Sequence, residues 1–195
     1  MTPAQEQQSR EIFFEGISHF EAGRLREARE CFERCLALTP DRPSVLGNLG
    51  ITLFRLGQTR EAVAHLQKAT AADPQFGEAW TCLGLAHEAH ADWALAVDAL
   101  TKALDLSDRS SALWFSLGQC SMRLGRQPEA LKAFDRALEI DPDFAAAAGW
   151  RRNAVWTWTT CAPRRSATSR ADPCRGSTSR CAGAAPSPPR SIAGR

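Results

Sequence analysis

The sequence predicts an all-α fold built from helix-turn-helix repeats, and three series of residues with one period lead to this prediction. Small residues return every 34 positions, first at Gly16, Gly50, Gly84 and Gly118, and then at Ala28, Ala62, Ala96 and Ala130. Large apolar residues follow the same period at Phe32, Leu66, Leu100 and Phe134. Series that share one period indicate stacked copies of a single structural unit.

Each 34-residue period contains two predicted helices. Residues at helical spacing form one stripe on a first helix, as at Trp80, Leu83 and His87. A glycine that can end a helix in the left-handed conformation marks the turn between the helices, at Gly23, Gly57 and Gly125. A second stripe of residues at helical spacing lies on the second helix. Proline ends that helix at Pro40, Pro74 and Pro142.

The small residues predict where the two helices of a unit approach each other. Glycine on the first helix and alanine on the second allow the backbones to cross closely, with Phe or Leu filling the space beside the contact. One such hairpin cannot bury both faces of its helices, so each unit must stack on the next.

These residues resemble the tetratricopeptide repeat family. Its pattern of Trp-x-x-Leu-Gly-x-x-Tyr, then Ala-x-x-x-Phe, Ala and Pro, appears in the fourth unit as Trp114, Leu117, Gly118, Ser121, Ala130, Phe134, Ala137 and Pro142. The third unit repeats it from Trp80 to Ala103. The resemblance implies a right-handed α-solenoid of four units at 9–42, 43–76, 77–110 and 111–144, after a leader at 1–8.

The repeat pattern stops after residue 144. Trp150, Ala154 and Trp158 are each four apart, which favours a short capping helix near 144–157, and we assign it the segment 145–158. Arg151, Arg152 and Asn153 are expected to form its polar outer face. Beyond it, 159–195 is rich in Arg, Pro and Ser, a composition that predicts disorder.

The overall net charge of +2 hides a strong asymmetry. Nine arginines and one acidic residue give 145–195 a charge of +8, whereas 15 basic and 21 acidic residues give 1–144 a charge of −6. The segment could be a basic tail that binds nucleic acid or an acidic membrane, a plain disordered terminus, or the product of a shifted reading frame. The last two are favoured, because arginine-rich composition alone is weak evidence for a binding tail.

Composition favours a cytoplasmic protein. The chain has no apolar run of 18 residues and no basic, apolar leader, so neither a membrane span nor a signal peptide is indicated. Its 7 cysteines are odd in number and form no Cys-x-x-Cys pair, which is typical of reduced thiols. We therefore expect no membrane contact.

No motif indicates catalysis. The chain contains no glycine-rich phosphate loop, no Gly-x-Ser-x-Gly elbow and no His-Glu-x-x-His. Cys31 and Cys35 share a helix face, but the sequence suggests no nearby histidine to complete a metal site, so core packing is favoured. We predict no catalytic residues, no metal, no cofactor, no small-molecule substrate and no enzymatic activity.

The resemblance also implies a binding surface, because the first helices of the family line a concave groove that holds an extended peptide or a partner helix. We call the corresponding positions the groove set: Phe13, Ile17, Phe20, Asn48, Ile51, Phe54, Arg55, Glu78, Thr81, Leu85, Glu88, Phe115, Gln119, Met122 and Arg123. Some members of the family hold a terminal carboxylate with a clamp of Lys, Arg and Asn. Only Asn48 matches that clamp here, so carboxylate recognition is not expected.

The predicted function is a non-catalytic protein-protein interaction scaffold whose partner is a protein or peptide. One alternative is a docking module of an interrupted enzyme of the glycosyltransferase or methyltransferase type, with the catalytic domain encoded downstream. A third is nucleic-acid binding through the basic tail, which is less favoured than either.

Overall fold

The computed structural model describes residues 3–107 and 109–161, and these form nine α-helices. The first hairpin contains α1 (Pro3–Glu21) and α2 (Leu25–Leu38), and the second contains α3 (Pro43–Arg55) and α4 (Thr59–Ala72). The third contains α5 (Gly77–Ala89) and α6 (Trp93–Leu106), and the fourth contains α7 (Ser111–Arg123) and α8 (Gln127–Ile140). The last described helix is α9 (Ala145–Cys161).

The hairpins stack in chain order, as the repeat pattern predicts. Each first helix packs on its own second helix, and each second helix packs on the first helix of the next unit. The first helices also contact one another, α3 with α5 and α5 with α7. The described residues therefore form an all-α solenoid in which the first helices lie side by side on one face.

The small-residue positions are the close contacts that the sequence predicts. A Cβ atom added to Gly84 would lie 2.7 Å from Leu100 Cγ, and one added to Gly118 would lie 2.4 Å from Phe134 Cε1. The alanine series on the second helices is fully buried, as is the large apolar series of Phe32, Leu66, Leu100 and Phe134. Apolar burial inside and between hairpins is thus the main source of stability.

The capping helix exists as α9 and extends to Cys161, past the predicted end at residue 158. It packs against α8 and buries Ala147 and Ala154. The Trp150 ring lies 6.5 Å from that of Phe134, and Arg151 forms an ion pair with Asp135 of α8. Arg151, Arg152 and Asn153 are exposed, as expected for a polar outer face. The rest of the predicted disordered tail lies outside the described residues.

The turns inside the four hairpins share one geometry. A backbone N–H after each turn donates to the carbonyl five residues earlier, as in Gln58 to Leu53 at 2.9 Å and Asp92 to His87 at 3.0 Å. This bond requires a left-handed residue, which is glycine in three hairpins but Ala91 in the third, with φ of 63°.

Among the described helices, none combines the length and apolar character needed to cross a bilayer.

Replacing Ala91 by glycine is expected to raise the free energy of unfolding by about 0.5–1 kcal/mol. The left-handed conformation costs a residue with a Cβ about 1–2 kcal/mol, and the greater freedom of glycine in the unfolded chain offsets part of that gain. Urea denaturation measures the change. The converse replacement of Gly57, whose φ is 79°, by alanine should destabilise. A lower midpoint for Ala91→Gly would contradict this explanation.

Candidate functional site

The groove set lies on the four first helices, α1, α3, α5 and α7, which are neighbours on one face of the solenoid. The Arg55 guanidinium of α3 lies 4.4 Å from the centre of the Phe20 ring of α1, so this contact joins the first two of these helices. A cation over an aromatic face is attracted to the ring electrons. Side chains from successive units thus meet along one strip.

The first half of the strip is apolar. Phe13, Ile17 and Phe20 of α1 and Phe54 of α3 are partly buried and pack against the core of the first two units. Ile51 differs, because its exposed fraction is only 5%. It therefore offers almost no surface to a ligand, although its position in the repeat matches that of Ile17.

Asn48 lies in the same half of the strip, but its amide is already used within α3. Its Nδ2 donates a hydrogen bond to the Ser44 carbonyl at 2.8 Å, one helical turn earlier. The side chain that matched the carboxylate clamp therefore has one donor committed to its own helix.

Helix α5 adds acidic groups to the strip. Glu78 is exposed, and Glu88 is partly buried. Burial raises the pKa of Glu88, and a hydrogen bond from the Ser116 side chain on α7 opposes the rise by stabilising the carboxylate. Thr81 and Leu85 lie on the same helix and are also partly buried. The third unit therefore places a negative region in the middle of the face.

Two thiols on the first helices are held in the neutral form. Burial, reinforced by the negative charge of Glu78, raises the pKa of Cys82 to about 11, although Arg55 opposes the rise. Burial and Glu88 raise the pKa of Cys120 to about 12. A thiolate is the nucleophilic form of cysteine, so these two groups are poor nucleophiles near neutral pH.

Helix α7 contributes both packing and accessible residues. The Phe115 ring lies 6.0 Å from Phe134 and 5.0 Å from Phe144, so much of Phe115 serves the packing of the fourth unit. Gln119 and Met122 are partly buried, and Arg123 is exposed with its guanidinium 5.7 Å from the Trp93 ring of α6. Arg55 and Arg123 thus place two cations at the carboxyl ends of α3 and α7.

A separate depression of about 510 Å³ lies away from the groove set, between α4, α5 and α6. Lys102 Nζ lies 4.3 Å over the Trp80 ring there, and Trp80 Nε1 donates to the Pro74 carbonyl at 3.0 Å. These contacts hold Trp80, a position that the repeat pattern assigns to packing.

Sequence reasoning missed a cluster of ligand-type side chains in the first unit. It found no histidine near Cys31, but the structure brings His19 and Glu15 of α1 close to Cys31 of α2. That expectation was wrong, because the hairpin brings Cys31 close to residues that lie 12 and 16 positions earlier in the sequence. The individual residue types were visible in the sequence, whereas their convergence depends on how the two helices cross.

Comparisons with known proteins agree with the architecture. One tetratricopeptide repeat model matches residues 14–75. A second model of the same family matches twice, at residues 48–110 and 83–143. The solved structure of MamA from AMB-1 is similar, with a TM-score of 0.72 and 25% identity over 79% of this chain and 84% of that one. YrrB, described as a tetratricopeptide repeat protein with an unusual peptide-binding site, has a TM-score of 0.62. It is 20% identical over 70% of this chain and 71% of that one, and this likeness shows the fold alone.

Curated relatives share the same repeats within longer chains. The BBSome complex member bbs-4 of Caenorhabditis elegans is 28% identical over 131 residues, which are 67% of this chain and 28% of that protein. Protein FlbA of Caulobacter vibrioides is 28% identical over 67% of this chain and 22% of its own length. The chain thus spans less than a third of these relatives. Because the repeat models together cover residues 14–143 and the stacked hairpins follow their period, the chain belongs to the tetratricopeptide repeat family.

Proposed function

We propose that the chain is a non-catalytic scaffold that binds a peptide or partner helix along the groove set. Family membership supports a protein-interaction role in general. The observation that carries the specific proposal is the alignment of partly buried apolar side chains with exposed charges along one face, at Phe20, Phe54 and Arg55 and again at Met122 and Arg123. Such a strip lets apolar burial supply affinity while charges set register.

The charge order predicts the chemistry of the ligand. Arg55 and Arg123 are separated along the solenoid by the acidic third unit, which carries Glu78 and Glu88. A ligand that lies along the strip would therefore place a basic residue near α5, between two acidic residues that face α3 and α7. Apolar residues between these charges would cover Phe54 and Leu85. We also propose a cytoplasmic location, in line with the free Cys31, Cys35, Cys82 and Cys120.

Arg55→Glu is expected to weaken ligand binding about tenfold, since it replaces an attractive charge with a repulsive one and removes the contact with Phe20. The probe is a peptide selected from a random library on the immobilised full chain, with affinity measured by isothermal calorimetry. Arg123→Glu should act in the same direction. These variants are more informative than loss of Phe115, whose ring also packs on Phe134 and Phe144.

Arg60→Glu is the matched control, because Arg60 is exposed on the second helix α4 and its replacement changes the net charge equally. It should leave affinity within about twofold of the unchanged chain. Equal losses for Arg55→Glu and Arg60→Glu would mean that net charge, and not the groove, determines binding. Docking-module and nucleic-acid functions are not favoured by any contact of the described residues.

A further inference from the structure

Three side chains of the first hairpin, none of them in the groove set, converge between α1 and α2. One ligand atom from each of Glu15, His19 and Cys31 lies within 4.8 Å of the other two. His19 Nε2 is 3.8 Å from Glu15 Oε1. The other ring nitrogen of His19, Nδ1, is buried without a hydrogen-bond partner.

The repeat itself shows that packing does not demand these residue types. The residues one, two and three periods after Glu15 are all leucine: Leu49, Leu83 and Leu117. The positions that correspond to Cys31 hold His65, Ala99 and Ala133. The first unit therefore departs from an apolar pattern at Glu15 and has a thiol where the last two units have alanine, while it keeps the same hairpin fold.

The donor set has a definite metal preference. A thiolate, an imidazole nitrogen and a carboxylate oxygen suit zinc and similar borderline-soft ions, whereas magnesium and calcium prefer oxygen alone. Tetrahedral bonds of about 2.0–2.3 Å separate ligand atoms by about 3.3–3.8 Å, so only a small contraction of the cluster is needed. Cys35 is already engaged, because its thiol donates to the Ser9 carbonyl at 3.3 Å.

We propose that Glu15, His19 and Cys31 bind a zinc-like divalent transition-metal ion, with water as the fourth ligand. The Cys31 thiol gives its proton to solvent as the sulfur–metal bond forms. Because two ligands come from α1 and one from α2, the bound ion cross-links the two helices of the first hairpin. Metal binding is thereby coupled to the stability of the first unit.

Cobalt titration of the full chain tests this site, because Co²⁺ bound to a thiolate gives a charge-transfer band in the near ultraviolet. The replacements Glu15→Leu, His19→Leu and Cys31→Ala introduce residue types that the same positions hold in other units. They should therefore preserve the hairpin, which far-ultraviolet circular dichroism checks. We expect Cys31→Ala to abolish the band and the other two replacements to weaken cobalt binding at least tenfold.

Cys35→Ala is the matched control, since the corresponding positions in the later units are Ala69, Ala103 and Ala137. It should leave the band intact. Zinc at a hundredfold excess over its dissociation constant should raise the melting temperature on the order of 5 °C for the unchanged chain, and not for Cys31→Ala. No band at saturating cobalt, or a band that survives in folded Cys31→Ala, would overturn the proposal.

Discussion

Replacing Phe134 by alanine is expected to lower the free energy of unfolding by about 3–5 kcal/mol. Phe134 is fully buried, and it contacts Phe115 of its own hairpin and Trp150 of α9. Its ring also fills the space beside Gly118. One replacement therefore removes apolar contacts inside the fourth unit and between that unit and the capping helix.

Chemical denaturation followed by circular dichroism measures this loss, and Phe14→Ala is the control. Phe14 is 69% exposed, so the same change of side chain should alter stability by no more than about 0.5 kcal/mol. Similar losses for the two variants would contradict the assignment of Phe134 to the core. A loss for Phe134→Ala that leaves α9 packed would contradict its role between the fourth unit and the cap.

Replacing Gly84 by alanine is expected to destabilise the chain by about 1–3 kcal/mol, although alanine normally favours a helix. The added Cβ would lie 2.7 Å from Leu100 Cγ and 3.2 Å from the Leu100 backbone nitrogen. A side chain alone could turn away, but the nearby backbone means that α5 and α6 must separate. Denaturant midpoints measure the effect.

Gly149→Ala is the matched control because it makes the same change at an open helical position. A Cβ added there would meet nothing within 4 Å, so helix propensity should decide the outcome. We expect Gly149→Ala to raise the free energy of unfolding by about 0.5–1 kcal/mol. We expect the two replacements to change the free energy of unfolding in opposite directions. A gain at Gly84 would mean that the small-residue series is not required for close helix approach.

The repeat architecture could be predicted because it depends on patterns that recur along the chain. The spacing of Gly50, Gly84 and Gly118 established the period, and their alanine counterparts established which faces of the two helices meet. Stacking follows from that geometry, since each hairpin buries its second apolar face on the next unit. The packing of Ala154 and Trp150 was likewise visible as a spacing of four residues.

Details of the strip depend on neighbours that no period reveals. Ile51 and Ile17 occupy the same repeat position, yet Ile51 is buried and Ile17 is partly exposed. Phe76 packs its ring where a Cβ on Gly47 would lie, at 2.1 Å from Phe76 Cε1. Phe76 lies just before α5, outside the helical stripes of its unit, so those stripes cannot predict this contact.

The left-handed turn shows a different limit. The glycine at Gly23, Gly57 and Gly125 predicts the turn geometry, but the third unit has Ala91 at that position and still adopts φ of 63°. The hydrogen bonds on both sides of the turn and the stacking of α5 and α6 impose the conformation in spite of its local cost. Tertiary packing therefore overrides the local preference of one residue.

The face formed by α1, α3, α5 and α7 is the proposed ligand-binding surface, and NMR can locate a bound peptide on it directly. A selected peptide with a spin label at one end should broaden amide signals of these first helices. We expect little broadening on α4 and α6, and a broadened region that moves along the solenoid when the label moves to the other end. Broadening centred on α4 and α6, around the depression that contains Trp80, would contradict the placement of the ligand on the first helices.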